Sequence, residues 1–168
     1  MEKNEVVKLQ KKKKIIYVIL IILILIIVSG AEFNLRQKNI YYNDKKIAQE
    51  DDSYSVENFS GNSEDIEKYK LTYEKLSGDC LMWILNPKEE TEITFNYNSN
   101  VDKGKFKVVL VDSDKHEIIN ILEGTEEGSR TIKLTTDKYF IKFVGEDAAG
   151  ELEFSVDNNK NVVISAKN

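Results

Sequence analysis

Hydrophobic positions follow three regimes along the chain. Residues 15–28 read Ile-Ile-Tyr-Val-Ile-Leu-Ile-Ile-Leu-Ile-Leu-Ile-Ile-Val without a charge. From Glu32 to about Ser53 the chain is polar and has no clear period. Beyond Ser53 the apolar period becomes two. Tyr69, Leu71 and Tyr73 alternate with Lys68, Lys70, Thr72 and Glu74, and Ile93, Phe95 and Tyr97 alternate with Glu92, Thr94 and Asn96. The same rhythm recurs at Phe106, Val108 and Leu110; at Ile132 and Leu134; at Tyr139, Ile141 and Phe143; and at Leu152, Phe154 and Val156. Alternation of this kind puts one face of a strand inward and the other in water. Cys80-Leu81-Met82-Trp83-Ile84-Leu85 is apolar on both faces, which places it centrally, with Asn86-Pro87 as its stop. Turn residues stand between the runs: Asn98-Ser99-Asn100, Asp112-Ser113-Asp114, Glu123-Gly124, Glu127-Gly128, Gly145, Gly150 and Asp157-Asn158-Asn159. The pattern predicts about nine short strands in an all-β, antiparallel β-sandwich of jelly-roll type.

The first regime predicts a single transmembrane helix over residues 15–31, with Ile15, Ile16, Tyr17, Leu20, Leu23, Leu25 and Val28 among the lipid-facing positions. Lys11, Lys12, Lys13 and Lys14 precede it directly and set its orientation, since positive flanks stay in the cytoplasm. The expected plan is a basic cytoplasmic leader (1–14), the anchor (15–31), a polar stalk (32–53) and an extracytoplasmic domain (54–168). Two fates compete for the apolar segment. Ser29-Gly30-Ala31 would put small residues three and one positions before a signal-peptidase cut, whereas the unbroken Ile and Leu run and the long leader favour an uncleaved anchor. Ile27-Val28-Ser29-Gly30 also begins like a lipoprotein box, but Ala31 stands where the lipid-bearing Cys would be.

Charge sharpens this division. Six lysines against two glutamates give residues 1–31 a net +4, while the remainder carries 18 basic and 27 acidic groups, a net −9. Such a surface repels phosphate backbones, so nucleic acid is not the expected partner. The bilayer is one partner through the helix, and a second membrane or cell-wall component is the other. One Cys and one His exclude an internal disulfide and a four-ligand Cys/His zinc site. No cofactor is expected.

Candidate chemistry is sparse. Asp112-Ser113-Asp114-Lys115-His116 resembles the start of a cation loop, but Glu117 holds the position that needs Gly, so a hairpin turn is the expected role. Asp157, Asn159 and Asn161 have the same spacing, with Val162 at the Gly position. Cys80 begins the most apolar run outside the membrane segment, where a thiol behaves as a small hydrophobe. The acidic pairs Glu89-Glu90, Glu126-Glu127 and Glu146-Asp147 have no spacing that selects an acid and a base. Trp83, Tyr97, Tyr69 and Tyr73 could stack on sugar rings, although their alternation points to core packing. Candidate ligand contacts are therefore Trp83, together with Tyr41, Tyr42 and Tyr54, which precede the periodic region. No catalytic residue is assigned.

Phe59-Ser60-Gly61, Ile93-Thr94-Phe95-Asn96-Tyr97, Lys103-Gly104-Lys105-Phe106 leading to Val109-Leu110-Val111-Asp112-Ser113-Asp114, Tyr139-Phe140-Ile141-Lys142-Phe143-Val144-Gly145 and Ala149-Gly150-Glu151-Leu152 carry a resemblance. The chain resembles the small extracytoplasmic β-sandwich domains common in uncharacterised membrane-anchored proteins and lipoproteins of Gram-positive bacteria. The resemblance implies a strand, a Lys-Gly hairpin, a strand ending in an Asp-rich turn and a late Tyr strand followed by a Gly turn. It implies location and fold, and no activity attached to a residue. The expected function is a non-catalytic, membrane-anchored module for binding or protein interaction at the bacterial surface; the alternative is a secreted carbohydrate- or cell-wall-binding domain released after Ala31.

Overall fold

The computed structural model describes residues 2–61, 66, 68–157 and 160–167, and the chain divides into two units, Met1–Leu35 and Arg36–Asn168. Helix α1 spans Glu2–Ile40. Every side chain from residue 15 to residue 28 is 48–69% exposed among the described residues, so the apolar surface runs all round the helix. An all-round apolar helix is stable only in a nonpolar surrounding, and α1 contains a window long and apolar enough to cross a bilayer. The one hydroxyl at the end of this stretch is satisfied within the helix, Ser29 Oγ donating to the Ile26 carbonyl at 2.9 Å.

The second unit is a β-sandwich made by folding one antiparallel sheet on itself. Its strands are β1 (Ser53–Ser55), β2 (Asn58–Gly61), β3 (Tyr69–Pro87), β4 (Thr91–Asp112), β5 (Glu117–Glu123), β6 (Glu126–Leu134), β7 (Tyr139–Asp157) and β8 (Val162–Ala166). Three of them, β3, β4 and β7, are 19 to 22 residues long and pass through both layers. The first layer runs in the order β2, start of β3, end of β7, start of β4, β6. The second runs from β1 and β8, side by side on the edge, to the end of β3, the start of β7, the end of β4 and β5.

This corrects the expectation of about nine short strands. Asn98-Ser99-Asn100 lies inside β4, Glu127-Gly128 inside β6, and Gly145 and Gly150 inside β7. The expected Lys103-Gly104 hairpin is a kink in β4, where the pairing with β7 shifts register between Val101 and Lys103 and again between Lys103 and Lys105. Gly104 has φ +70°, and a Cβ there would lie 2.3 Å from the carbonyl oxygens of Glu146 and Asp147, so the bend requires glycine. Asp112-Ser113-Asp114 does close the β4–β5 hairpin, whereas Glu123-Gly124 joins β5 to β6, which lie in different layers and each pair with β4. Asn158 and Asn159 of the last predicted turn lie outside the described residues.

Between the layers sits an aromatic core. Tyr69 meets Trp83 edge-on at 4.9 Å, Tyr73 stacks on Phe106 at 4.5 Å, and Phe143 and Phe154 join the cluster. A second apolar cluster occupies the outer face of the second layer, where Leu81, Val109, Val111, Phe140 and Val144 are covered by Ile40, Tyr41, Ile47 and Ala48. The covering segment includes the end of α1 and the short helix α2 (Asp44–Ile47), which is capped by Asn43 Oδ1 on the Lys46 amide at 3.1 Å. Within the stretch read as a polar stalk, whose Ile40-Tyr41-Tyr42 is open to docking on the domain or to the headgroup level, residues from Arg36 onward group with the folded unit and Ile40 and Tyr41 pack on it. The double apolarity of β3, β4 and β7 in this layer is the reason: each face needs a cover.

A buried ion pair fastens the end of this strap. Lys142 and Asp79, both with fully buried side chains, approach to 2.7 Å. Lys142 Nζ also donates to the carbonyls of Gln49 at 2.6 Å and Asp51 at 2.8 Å, and the other oxygen of Asp79 accepts from the Ser53 amide at 3.1 Å.

Candidate functional site

Covering one outer face leaves the other open. On the first layer the outward side chains form a shallow cleft of about 590 Å³ that crosses β3, β7, β4 and β6. Register aligns its side chains in rows. Lys70 stands opposite Glu153, Glu153 opposite Asn98, and Asn98 opposite Glu127. One step along, Ser155 faces Asn96 and Asn96 faces Ser129, with Lys68 at the β3 end. Strands about 4.8 Å apart make each four-strand row roughly 14 Å long.

The row has a built centre. Lys70 and Glu153 form an ion pair, and Asn96 is oriented by its Nδ2 donating to Asp157 at 3.2 Å. Tyr69, Phe154 and Tyr97 form the floor from below and are buried. The cleft therefore offers amide, hydroxyl and carboxylate groups with no exposed ring. It suits a ligand that presents many hydroxyls and can exchange water for side-chain hydrogen bonds.

The residues predicted from sequence as ligand contacts lie elsewhere. Trp83 is 1% exposed and belongs to the core between the layers, so it presents no ring to a ligand; its size and central strand place it there. Tyr41 is buried in the strap and donates to Glu123 at 2.7 Å, and burial first, then that carboxylate, raises its phenol above the usual value. Tyr42 is 60% exposed, donates to Glu146 at 2.6 Å and lies beneath the Lys105 ammonium, 4.8 Å from the ring centre. Tyr54 flanks a second pocket of about 390 Å³ in the gap between β1 and β8, together with Cys80 and Met82. The four predicted contacts do not converge on one surface. The cleft residues were missed because outward polar positions of a strand look like ordinary solvated ones.

Cys80 is 5% exposed, and burial pushes its thiol up to about 12, with the Tyr54 hydroxyl pulling the other way. Against the ordinary value of 9.0 this lowers the thiolate fraction about a thousandfold. Iodoacetamide at mildly alkaline pH is expected to alkylate Cys80 about a thousandfold more slowly in the folded protein than in urea; a rate within tenfold of the unfolded one would show an open, activated thiol.

Asp112 is a turn residue. Its Oδ1 accepts from the amides of Asp114 at 3.1 Å and Lys115 at 3.0 Å, and Lys115 Nζ bridges Asp112 and Asp137 at 2.7 Å each. An ammonium thus sits where the cation of a metal loop would lie. Lys115 first, then Thr135, lowers the Asp137 carboxyl, so this clamp persists at neutral pH and is lost as pH falls through that lowered value. Among the described residues no group of three or more His, Cys, Asp or Glu could hold a metal. Glu90 pairs with Lys133, Glu146 with Lys105 and Asp147 with Lys103; Glu126 accepts from Tyr97.

No protein-family model and no curated protein matches the chain. Similar solved structures include a family 29 carbohydrate binding module (TM-score 0.36, 12% identity, 69% of this chain and 77% of that one). Another is a mutant of such a module complexed with cellulohexaose (0.34, 10%, 70% and 93%). A third is a family 35 carbohydrate binding module from an environmental isolate (0.36, 13%, 70% and 91%).

Proposed function

We propose that this chain holds a non-catalytic, glycan-binding β-sandwich at the outer surface of a bacterial membrane, anchored by α1 with its amino terminus in the cytoplasm. The observation that carries the reading is the asymmetry of the sandwich. One outer face is closed by the strap of residues 36–48, and the other presents an open polar cleft across four strands. Lys13 and Lys14 at the start of the apolar stretch, with Lys11 and Lys12 before them, support the orientation.

Binding through such a cleft rests on several hydrogen bonds, each contributing about 1 kcal/mol net and more where a charge takes part. Asn98→Ala and Glu153→Ala are therefore each expected to weaken retention of the detergent-solubilised chain on wall polysaccharide about fivefold to tenfold, with an unchanged melting temperature. Trp83→Ala is expected to act differently: it removes a core ring at a cost of about 3–5 kcal/mol and lowers the melting temperature first. Unaltered retention in both cleft variants, with Trp83→Ala folded and defective, would move the site away from the cleft. Topology is checked by carbonate extraction and by added protease on wall-stripped cells, which should leave the protein in the membrane and digest the sandwich.

Ser29-Gly30-Ala31 supports a second reading, a secreted binder that begins at Glu32. The mass and amino terminus of the product separate the two, since the anchored reading requires the full chain in the membrane fraction.

A further inference from the structure

The charges at the two ends of the cleft are opposite. At the β3 end stand Lys68 and Lys70, and at the β6 end stands Glu127. Lys70 is neutralised by Glu153, whereas Lys68 and Glu127 are exposed and form no ion pair among the described residues. Between them lie uncharged or internally balanced groups: Ser155, Asn96, Ser129, Asn98 and the Lys70–Glu153 pair. The cleft is thus a polar floor with an ammonium at one side and a carboxylate at the other that form no ion pair among the described residues.

We propose that its ligand is a zwitterionic glycan, a sugar chain that carries an acidic group placed against Lys68 and an unacetylated amine placed against Glu127, with hydroxyls between them on Asn96, Asn98 and the serines. The inference rests on the glycan-binding reading of this face and adds the charge pattern. Net charge makes the amine essential. Residues 32–168 carry a net −9, so a purely anionic polymer approaches against the field of the whole unit. A purely cationic chain is drawn to the unit but meets the Lys68 end unfavourably. A polymer with the two groups spaced along the diagonal between the rows, roughly 16 Å, satisfies both ends and takes its register from them.

Four probes separate the contributions: carboxymethyl-chitosan, which carries both charges, chitosan with the amine only, carboxymethyl-cellulose with the acid only, and neutral cello-oligosaccharide. Titrated into the full chain in detergent at low salt, each exposed charge contact should add about fivefold in affinity. Carboxymethyl-chitosan should bind most tightly and lose its lead at high salt. Glu127→Gln should remove the advantage of the amine and keep that of the acid, and Lys68→Gln should remove the advantage of the acid and keep that of the amine.

If the four probes bind equally, or if both variants bind all four as the parent does, the charge pattern is not read and the inference falls while the glycan-binding reading stands. If none binds, the reading falls with it. A lead for carboxymethyl-cellulose over carboxymethyl-chitosan would also overturn the inference.

Discussion

A chain that begins at Tyr54 is expected to aggregate, and one that begins at Glu32 to fold as a soluble sandwich. The short form lacks Ile40, Tyr41, Ile47 and Ala48, which cover the outer face of the second layer. Burying a large apolar side chain contributes about 1.5–3 kcal/mol, so losing the three large ones removes on the order of 5 kcal/mol or more, a large share of the roughly 5–15 kcal/mol that holds an ordinary domain. It also bares Leu81, Val109, Val111, Phe140 and Val144 together, a contiguous patch of the kind that drives association. The hydrogen bonds of Lys142 to Gln49 and Asp51 go as well. Size-exclusion chromatography and thermal melts of the two forms provide the check: a monomeric short form melting within a few degrees of the longer one would show that the strap contributes nothing. The result also bears on function, because a product cut after Ala31 keeps the entire strap, whereas a cut near Ser53 would leave no folded binder.

The strands were legible in the sequence because the inward rows, Tyr69, Leu71, Tyr73 and Leu152, Phe154, Val156 among them, repeat with period two, and all of these side chains are buried. Their continuity was not legible. Gly104, Gly145 and Gly150 look like turn residues, and a bulge inside a long strand calls for the same residue types as a turn between two short ones. The need for a third layer is visible in the doubly apolar runs of residues 80–85, 108–111 and 139–144; the short Ile40-Tyr41-Tyr42 run points to a docking segment, but nothing local identifies Ile47, embedded in a polar stretch, as part of the cover. The cleft is a product of register. Lys70, Glu153, Asn98 and Glu127 come from four strands, and only their pairing sets them in one row. Trp83 shows two signals in one residue: its side-chain type suggested a ligand platform, its alternation and central apolar run pointed to the core, and it is buried there.

Asp79→Ala is expected to cost about 3–5 kcal/mol, far more than Lys138→Ala, although Lys138 makes an ion pair of similar length with Glu50. Glu50 is largely exposed and Lys138 half-buried, so water screens the pair and takes over when one partner leaves. Asp79 and Lys142 have no such recourse, since both side chains are fully buried. Burial is the largest influence on Asp79 and raises its carboxyl above the usual range, with the Lys142 ammonium drawing it back. Taking two charges out of water offsets much of their mutual attraction, so the pair is a fastening that is costly to break on one side rather than a net source of stability. Removing only the carboxylate leaves a buried ammonium without a counter-charge; removing only the ammonium by Lys142→Met strands the carboxylate and two carbonyls, those of Gln49 and Asp51. Removing both partners should then cost less than the sum of the single changes, because the stranded charge disappears and only the two carbonyls and the Ser53 amide remain, at about 1–3 kcal/mol each. Urea denaturation of Asp79→Ala, Lys142→Met and the double variant measures that coupling, expected at about 2 kcal/mol or more. In the single variants protease should cut first within residues 49–52, where the strap loses its tether. Single changes costing less than about 1 kcal/mol, or costs that simply add, would show that the strap is held by its apolar contacts alone.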